Sequence, residues 1–413
     1  MRTLIRDARI FDGSGSALQT GSVLVDGNRI ARVGYGDDAL AEESADTVID
    51  AAGRTLMPGM VEAHAHLTWA SSVEKIYHQF ILPQEELKIA AWRNARVLLD
   101  HGFTSAYSAG ALGDGIEPEL ARAIAAGDTP GPRLIPSTLE RSPEGGEGVE
   151  TGDVFNGRGP AAMRGFMEYC ARQGIGTVKL VVSGEDALKP GSAVDVLYTD
   201  EEMAEAGKAA RDNGLWIACH AYYPKAIELA LSAGARIIYH ASYADADAAD
   251  AMVAARDTTF YAPSPGVSVA ALEASPPPHI DMSHMKKSAA ERMELESRLV
   301  PALRARGVRI LIGGDYGFPF NPNGRNARDL AIFVEHFGYA PAEALTAATK
   351  LGGELMGLDV GLVQEGWLAD LLLVDGDPTA DVAILQDKDR LHMIMKDGAL
   401  YKAPVSSPVG AAA

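Results

Sequence analysis

The sequence predicts a (β/α)8 barrel accompanied by a small β-rich domain. Three observations support this fold class. Strand patterns alternate with helix patterns over residues 57–357, which favours a parallel sheet. Both chain ends carry short strands and turns. The length of 413 residues accommodates a large barrel and a smaller domain. We therefore predict that residues 1–56 and 358–405 form one composite β-sandwich domain.

The first chain end contains a strand over residues 4–10 and a hairpin signal at Asp26-Gly27-Asn28. The second end contains strands over residues 369–374 and 392–395, followed by a hairpin over 396–400. Two β-rich ends around a long middle segment predict that both ends share one domain.

The middle segment contains eight predicted strands separated by amphipathic helices. We place the strand ends near His66, Ser108, Thr138, Val182, His220, His240, Ser264 and Asp315. The predicted helices cover residues 84–100, 117–126, 161–173, 200–213, 225–233, 246–255 and 288–306. Eight such units favour a closed barrel over an open, doubly wound sheet. Gly13-x-Gly15 is too short for a dinucleotide site, and no phosphate loop is present.

Composition excludes several function classes. The formal net charge is −19, so we expect no nucleic-acid partner and no binding to an anionic membrane. The N-terminus lacks the apolar core of a signal peptide, and no apolar run is long enough to span a bilayer. Cys170 and Cys219 lie far apart in apolar stretches, which fits a reducing, cytoplasmic location without a disulfide framework.

His64-Ala65-His66 ends the first predicted barrel strand. Side chains two residues apart in a strand face the same way, so the two imidazoles are placed to chelate one cation. His-x-His alone is a weak signal, because the histidines can equally be structural.

Other polar residues recur at the ends of buried strands: Lys179, His220, His240 and Asp315. A charged lysine within an apolar strand is costly unless it has a partner, and contact with a rim carboxylate is the structural alternative. The carboxyl ends of barrel strands form the catalytic face. We therefore expect these residues to converge with the two histidines of the first strand.

Together these residues resemble the binuclear site of the amidohydrolase superfamily. The matching segments are residues 57–66, 101–105, 131–134, 220–222, 344–349, 366–371 and 375–378. The resemblance runs from about residue 3 to residue 402. Within the superfamily, the chain is similar to the imidazolonepropionase-related group that includes Xaa-Pro dipeptidases (prolidases).

The resemblance implies two divalent ions, with zinc expected and cobalt, manganese or nickel as alternatives. The implied ligands are His64, His66, Lys179, His220, His240 and Asp315. His64, His66 and Asp315 would hold the more buried ion. The resemblance also implies that Lys179 is N-carboxylated and bridges the ions. A lysine beside two dications is driven to its neutral form, and carboxylation makes it an anionic ligand.

The implied reaction is hydrolysis of an amide-type C–N bond in a small molecule by a metal-bridging hydroxide. The substrate would be an amide, a carbamate, an N-acyl amino acid or an anilide. Asp315 would pass the hydroxide proton to the leaving amine, and Tyr222 would donate a hydrogen bond to the oxyanion. Packing at the rim of the barrel is the alternative role for Tyr222. Tyr223 is the second candidate for a contact with the substrate. Members of the family usually form homo-oligomers, and we expect one.

The chain departs from the prolidase-like pattern in two loops. Tyr107-Ser108 stands where that group usually has Arg-Asp, and Gly145-Gly146-Glu147 stands where it often has Gly-Gly-His. Because loops at the barrel mouth face substrate, Tyr107 and Glu147 are candidate substrate contacts.

A long loop over residues 274–284 follows the seventh strand and is a candidate lid. His279 and His284 within it, and Arg325 after the eighth strand, are further candidate contacts, with Arg325 suited to a carboxylate. Solvated histidines and a surface salt bridge are the structural alternatives.

Three other functions remain open. The first is a dipeptidase acting on Xaa-Pro substrates. The second is a deaminase, which Lys179 disfavours because mononuclear deaminases of the superfamily generally lack this lysine. The third is a non-catalytic scaffold, which the presence of all the implied ligands disfavours. The sequence does not name the substrate, the metal or the oligomer size.

Overall fold

The computed structural model describes residues 1–36, 38–73, 82–143, 156–186 and 189–404. Helices and strands together give an α/β fold. The chain divides into two compact units. The first comprises Met1–Val61, Leu99–Ser105 and Tyr339–Ala413, and the second comprises Glu62–Leu98 and Ala106–Gly338. The domain boundaries predicted from the sequence stay a prediction.

The first unit contains a mostly antiparallel sheet of eight strands among the described residues. Its strands are β1 (Arg2–Ile10), β2 (Gln19–Asp26), β3 (Arg29–Tyr35), β4 (Thr47–Asp50), β5 (Thr55–Pro58), β14 (Leu371–Val374), β15 (Leu391–Lys396) and β16 (Ala399–Lys402). The order is β16-β15-β14-β5-β1-β2-β3, and β4 pairs with β1. Strands β5 and β14 pair antiparallel, with Met57 opposite Leu372. Strands from both chain ends therefore belong to one sheet.

One face of this sheet carries an apolar core. Residues two apart in a strand share a face, and several such pairs are fully buried. The pairs are Val23 and Val25, Leu371 and Leu373, and Met393 and Met395. Leu24, Leu372 and Ile394, on the opposite face of the same strands, are buried as well, so the central strands of this sheet are covered on both faces.

The remaining strands lie wholly or partly in the second unit. They are β6 (Met60–Ala65), β7 (Phe103–Ser108), β8 (Arg133–Ile135), β9 (Thr177–Val181), β10 (Trp216–Ala221), β11 (Ile237–His240), β12 (Phe260–Ala262) and β13 (Arg309–Ile310). Strands β6-β7-β8 form one sheet and β13-β12-β11-β10-β9 form another. The second of these sheets is parallel throughout. Its strands therefore end at one common edge.

Helices separate most of these strands. They are α1 (Gln84–Asp100), α2 (Ile116–Ala126), α3 (Pro160–Gln173), α4 (Asp200–Asn213), α5 (Pro224–Ser232), α6 (Ala246–Ala254), α7 (Pro265–Glu273), α8 (Ser283–Ala305), α9 (Arg328–Phe337), α10 (Pro341–Ala348) and α11 (Lys350–Met356). Helix α4 shows local control of helix bounds. A capping box joins Thr199 and Glu202 at its start, and Gly214 ends it with φ 66°.

The structure corrects three predicted strand ends. Strands β8, β12 and β13 end before Thr138, Ser264 and Asp315, the residues at which the sequence placed their ends. Ser264 and Asp315 have φ of 62° and 60°, and a left-handed backbone does not continue a strand. Helix α7 was also missed. Of the predicted loop over 274–284, residues 274–282 connect α7 to α8, and residues 283 and 284 begin α8.

Among the helices described, none combines the length and the apolar character required to cross a lipid bilayer.

Candidate metal centre

Three predicted ligands meet where strand β6 ends. His66 Nε2 lies 3.0 Å and His64 Nε2 lies 3.5 Å from Asp315 Oδ1. Donor atoms of all three residues lie within 4.8 Å of one another, and all three side chains are buried. We call His64, His66 and Asp315 the His64 cluster. Its geometry is that of a candidate metal site.

Hydrogen bonds fix the second nitrogen of each imidazole in this cluster. His64 Nδ1 lies 2.7 Å from Ser264 Oγ, and His66 Nδ1 lies 3.0 Å from the Gly110 carbonyl oxygen. A carbonyl only accepts, so His66 Nδ1 donates, which leaves Nε2 as the nitrogen that faces Asp315. Such contacts are typical of the residues that orient metal-binding histidines.

Two buried acids hold the backbone on either side of the His64 cluster. Glu62 accepts a hydrogen bond of 2.9 Å from the backbone N–H of His64, and Asp329 accepts one of 3.1 Å from that of Gly313. Asn326 donates to Glu62 at 2.6 Å, and Tyr316 donates to Asp329 at 2.7 Å. Burial, followed by the charge of Asp329, raises the pKa of Glu62 to about 8.

The other three predicted ligands form a second group, which we call the His220 cluster: Lys179, His220 and His240. The rings of His220 and His240 lie 4.5 Å apart between centroids, and the His240 ring lies 5.5 Å from that of His64. Lys179 Nζ donates to the Ala109 carbonyl at 2.9 Å. The two clusters are therefore adjacent.

Aromatic rings pack around both clusters. Tyr239 stacks on His64 at 3.8 Å and lies under Lys179 Nζ at 4.5 Å. Tyr222 stacks on His240 at 4.7 Å and meets the His220 ring edge-on at 4.8 Å. These contacts restrict the orientation of imidazoles that have few hydrogen-bond partners.

The electrostatic environment favours the neutral form of His64, His220 and His240. Burial, followed by the charge of Lys179, lowers the pKa of His220 to about 3. The same two causes hold the pKa of His64 well below its ordinary value. Burial, followed by the charge of His220, does the same for the pKa of His240. Neutral imidazoles offer lone pairs, which is the form that binds metals.

The residues present fit divalent cations. Three buried donor atoms have no hydrogen-bond partner among the described residues: His64 Nε2, His220 Nε2 and Asp315 Oδ1. Orphan buried polar atoms are costly without a ligand. Lys179 is 1% exposed and forms no ion pair within the described ranges. Imidazole and carboxylate donors in this arrangement suit zinc and similar divalent ions.

Tyr222, the predicted oxyanion donor, is buried next to the His220 cluster. Its hydroxyl donates to Glu185 Oε2 at 3.1 Å, and the same oxygen lies 3.8 Å from His220 Nε2. Burial, followed by the charge of Glu185, raises the pKa of Tyr222 well above its ordinary value. The phenol therefore keeps its proton and remains a hydrogen-bond donor.

The other predicted contacts lie in different surroundings. Tyr107 is fully buried and stacks on Trp216 at 6.1 Å, at the beginning of β10. Tyr223 stacks on Tyr243 at 4.4 Å. His279 is exposed, and His284 lies 3.3 Å from Asp186.

Two further candidates complete the predicted set. Arg325 is exposed, and its Nη1 donates to the Phe320 carbonyl at 3.3 Å. Glu147 lies outside the described residues. None of these placements joins a predicted substrate contact to either cluster.

Sequence reasoning missed several neighbours of the clusters: Ser264, Glu140, Glu185 and Arg292. Glu140 Oε1 lies 3.5 Å from His66 Nδ1, and Arg292 lies over the Tyr222 ring at 5.7 Å. Only Ser264 had a signal in the sequence, since it stands at the predicted end of the seventh strand. Glu140 and Glu185 follow strand ends, and Arg292 lies on a helix. The local sequence pattern there does not indicate that these side chains contact the clusters.

Comparisons with known proteins show which family the chain resembles over most of its length. The sequence pattern of the amidohydrolase family matches residues 55–400. Ochratoxinase of Aspergillus niger is 25% identical over 436 aligned positions, covering 99% of this chain and 88% of that protein. Imidazolonepropionase of Rubrobacter xylanophilus is 26% identical, covering 92% of this chain and 90% of that protein.

A solved structure is also similar over nearly the whole chain. It is a Xaa-Pro dipeptidase with methionine bound in its active site. The TM-score is 0.86 at 25% identity, and the alignment covers 98% of this chain and all of that one.

Proposed function

The chain belongs to the amidohydrolase family, and we propose that it hydrolyses an amide-type bond in a small molecule with the help of two divalent ions. It is a hydrolase acting on carbon–nitrogen bonds. The family membership confirms the resemblance found in its sequence. The observation that carries the proposal is the set of buried, unpartnered donor atoms in the described site: His64 Nε2, His220 Nε2 and Asp315 Oδ1.

In this proposal the His64 cluster would hold one ion, and the two histidines of the His220 cluster would hold the other. Lys179, when N-carboxylated, would supply a further anionic ligand. The burial of Lys179 without a counter-ion within the described ranges supports carboxylation, because an uncompensated buried ammonium is costly. Bound ions would acidify a water molecule and polarise the scissile carbonyl.

The side chains supply the proton transfers and orientation. Asp315 accepts the proton of the attacking water and delivers it to the leaving amine. Its position 3.0 Å from His66 supports this role, since the carboxylate already faces the ligand atoms. Tyr222 donates its hydroxyl proton in a hydrogen bond to the developing oxyanion. The packing of the Tyr222 ring on His220 and His240 supports the assignment. The hydroxyl would turn from Glu185 to the substrate.

We also infer that the two smaller sheets belong to one (β/α)8 barrel. Two isolated parallel bridges support this: Ala65 pairs with Tyr316, and Arg141 pairs with Leu180. The first connects the segment after β13 to the end of β6, and the second connects the segment after β8 to β9. Both bridges lie where a closed barrel requires pairing.

A dipeptidase acting on Xaa-Pro substrates is the second candidate. Its support is the similarity to the structure of a Xaa-Pro dipeptidase. The TM-score is 0.86, and the alignment covers 98% of this chain.

The test is a substrate panel assayed with protein reconstituted with zinc, cobalt or manganese in bicarbonate buffer. The panel contains N-acyl amino acids, p-nitroanilides, carbamates and dipeptides with and without C-terminal proline. We expect turnover of at least one amide-type substrate, lost on chelation and restored by metal. Turnover confined to Xaa-Pro dipeptides would favour the second candidate. Activity unaffected by complete metal removal would refute both.

A further inference from the structure

Arg292 is a buried cation close to the His220 cluster. It lies in helix α8 and is 5% exposed. Its guanidinium carbon lies 5.7 Å from the centroid of the Tyr222 ring. Within the described residues its one hydrogen bond runs from Nε to Ser268 Oγ at 3.3 Å, and no ion pair joins it to a carboxylate. The Nη groups, which form the fork of the guanidinium, are left without a protein acceptor.

A buried guanidinium in this state needs an anion. Burying an unpaired charge costs several kcal/mol even after the protein relaxes. The charges of Glu185 and Glu296 favour the Arg292 cation, but within the described residues neither acid forms an ion pair with it. Tyr222 donates to Glu185 at 3.1 Å, and Ser242 donates to Glu296 at 2.6 Å. Burial raises the pKa of Glu296 to about 8, which favours the uncharged form of this acid.

Tyr222 relates Arg292 to the ligand histidines. The Tyr222 ring contacts His240 and His220 at 4.7 and 4.8 Å between centroids, and it also lies near the Arg292 guanidinium. One side chain therefore separates the cation from the imidazoles. An anionic group of a small substrate can span that separation while its scissile bond lies at the clusters.

We propose that Arg292 binds a carboxylate of the substrate and so selects amides whose nitrogen is attached to a carbon bearing a carboxylate, such as N-acyl amino acids and dipeptides. The inference rests on the proposed function. The planar guanidinium fork matches a carboxylate with two parallel hydrogen bonds. Only one carbon separates the carboxylate from the scissile nitrogen in these compounds. Anilides, carbamates and similar amides without a carboxylate would leave Arg292 unpaired.

The experiment compares an N-acyl amino acid with its carboxamide, which has the same shape and no negative charge. The proteins are the metal-loaded wild type, Arg292→Met, Arg292→Lys and the control Arg298→Met. Arg298 is in the same helix, its side chain is 71% exposed, and its partner is Glu294. We expect the wild type to prefer the carboxylate substrate in kcat/KM. The preference should fall by roughly 10²-fold in Arg292→Met and by less in Arg292→Lys, and Arg298→Met should match the wild type.

Calorimetric binding of the product amino acid to the metal-loaded proteins gives a readout independent of turnover. We expect weaker binding by Arg292→Met and Arg292→Lys, and unchanged binding by Arg298→Met. Equal substrate preference and equal binding in the wild type and both Arg292 variants would overturn the role of Arg292 and leave the proposed function intact. If the wild type hydrolyses neither compound, the proposed function fails for this substrate class, and the calorimetric comparison alone decides whether Arg292 binds a carboxylate.

Discussion

The His64 cluster and the His220 cluster are held in place by different interactions. In the first, hydrogen bonds fix both imidazoles, and Glu62 and Asp329 bind the neighbouring backbone. In the second, the contacts are mainly aromatic: Tyr222 packs on both histidines, and its hydroxyl bonds to Glu185. Hydrogen bonds set direction more strictly than ring contacts do. We therefore propose that the His64 cluster holds a ligand in one geometry and that the His220 cluster borders the substrate.

The largest expected effect is that of Asp315→Asn, because this residue belongs to the His64 cluster and is also proposed to move a proton. Asparagine retains an oxygen ligand and cannot accept the proton. We expect kcat to fall by roughly 10²–10⁴, with a partial loss of metal and little change in KM. The measurement is steady-state kinetics at verified metal occupancy. Near-normal turnover at full occupancy would remove Asp315 from proton transfer.

Tyr222→Phe tests whether the His220 cluster borders the reacting carbonyl. The variant keeps the ring that packs on His220 and His240 and loses the hydroxyl. We expect kcat to fall by roughly 10²-fold, with metal content unchanged. A variant with normal kcat would mean that the Tyr222 ring serves packing alone, and the distinction between the two clusters would weaken.

Ser264→Ala tests the hydrogen-bonded character of the His64 cluster. The change removes the partner of His64 Nδ1, 2.7 Å away, and leaves every proposed ligand in place. Partners of this kind are typically worth about 10–100-fold in metal affinity or activity. The measurement is competition for the metal with a chelator of known affinity. The control is Ser297→Ala, an exposed serine in helix α8 whose hydroxyl bonds to Glu294 in the same helix. Equal metal affinity in both variants and the wild type would contradict the claim that hydrogen bonds hold the His64 cluster in place.

The smallest expected effect is on stability. The free energy of unfolding should depend on pH with opposite signs for Glu62, beside the His64 cluster, and for His220. The pKa of Glu62 is about 8, above its ordinary 4.5, so folding favours the protonated acid. Its contribution is complete below about pH 4.5 and is lost as pH rises through about 8. The pKa of His220 is about 3, below its ordinary 6.5. Its contribution is present above about pH 6.5 and is lost as pH falls toward 3.

Thermal unfolding of the chelated, metal-free protein across pH tests these slopes. Glu62→Gln should reduce the loss of stability on the alkaline side, and His220→Gln should reduce the loss on the acid side. Identical pH profiles for both variants and the wild type would show that neither group titrates as described.

The sequence allowed much of the candidate site to be proposed because the predicted ligands are local features of strands. His64, His66, His220 and His240 stand in or directly after strands β6, β10 and β11, where a polar residue within an apolar run is visible without the fold. Asp315 was predicted as a ligand although strand β13 ends at Ile310. Where the sequence predicted the end of the strand, the chain has Gly313, Gly314 and the left-handed backbone of Asp315. The pattern of apolar residues does not reveal this change of backbone conformation.

The supporting residues escaped prediction because their contacts depend on packing between distant segments. Ser264 bonds to a residue 200 positions away, and Asn326 reaches Glu62 across 264 positions. Arg292 lies in the middle of a helix among charged residues, where a buried side chain looks like its exposed neighbours in the sequence. Their roles follow from burial and partners, which only the folded chain supplies.

The most direct test of the two-cluster account is the metal content of purified protein, measured by elemental analysis after reconstitution with zinc in bicarbonate, for the wild type and Lys179→Ala. The account predicts about two ions per chain in the wild type and a marked loss in the variant, because Lys179 is proposed to supply an anionic ligand. One ion or none in the reconstituted wild type, or full metal content in Lys179→Ala, would contradict it.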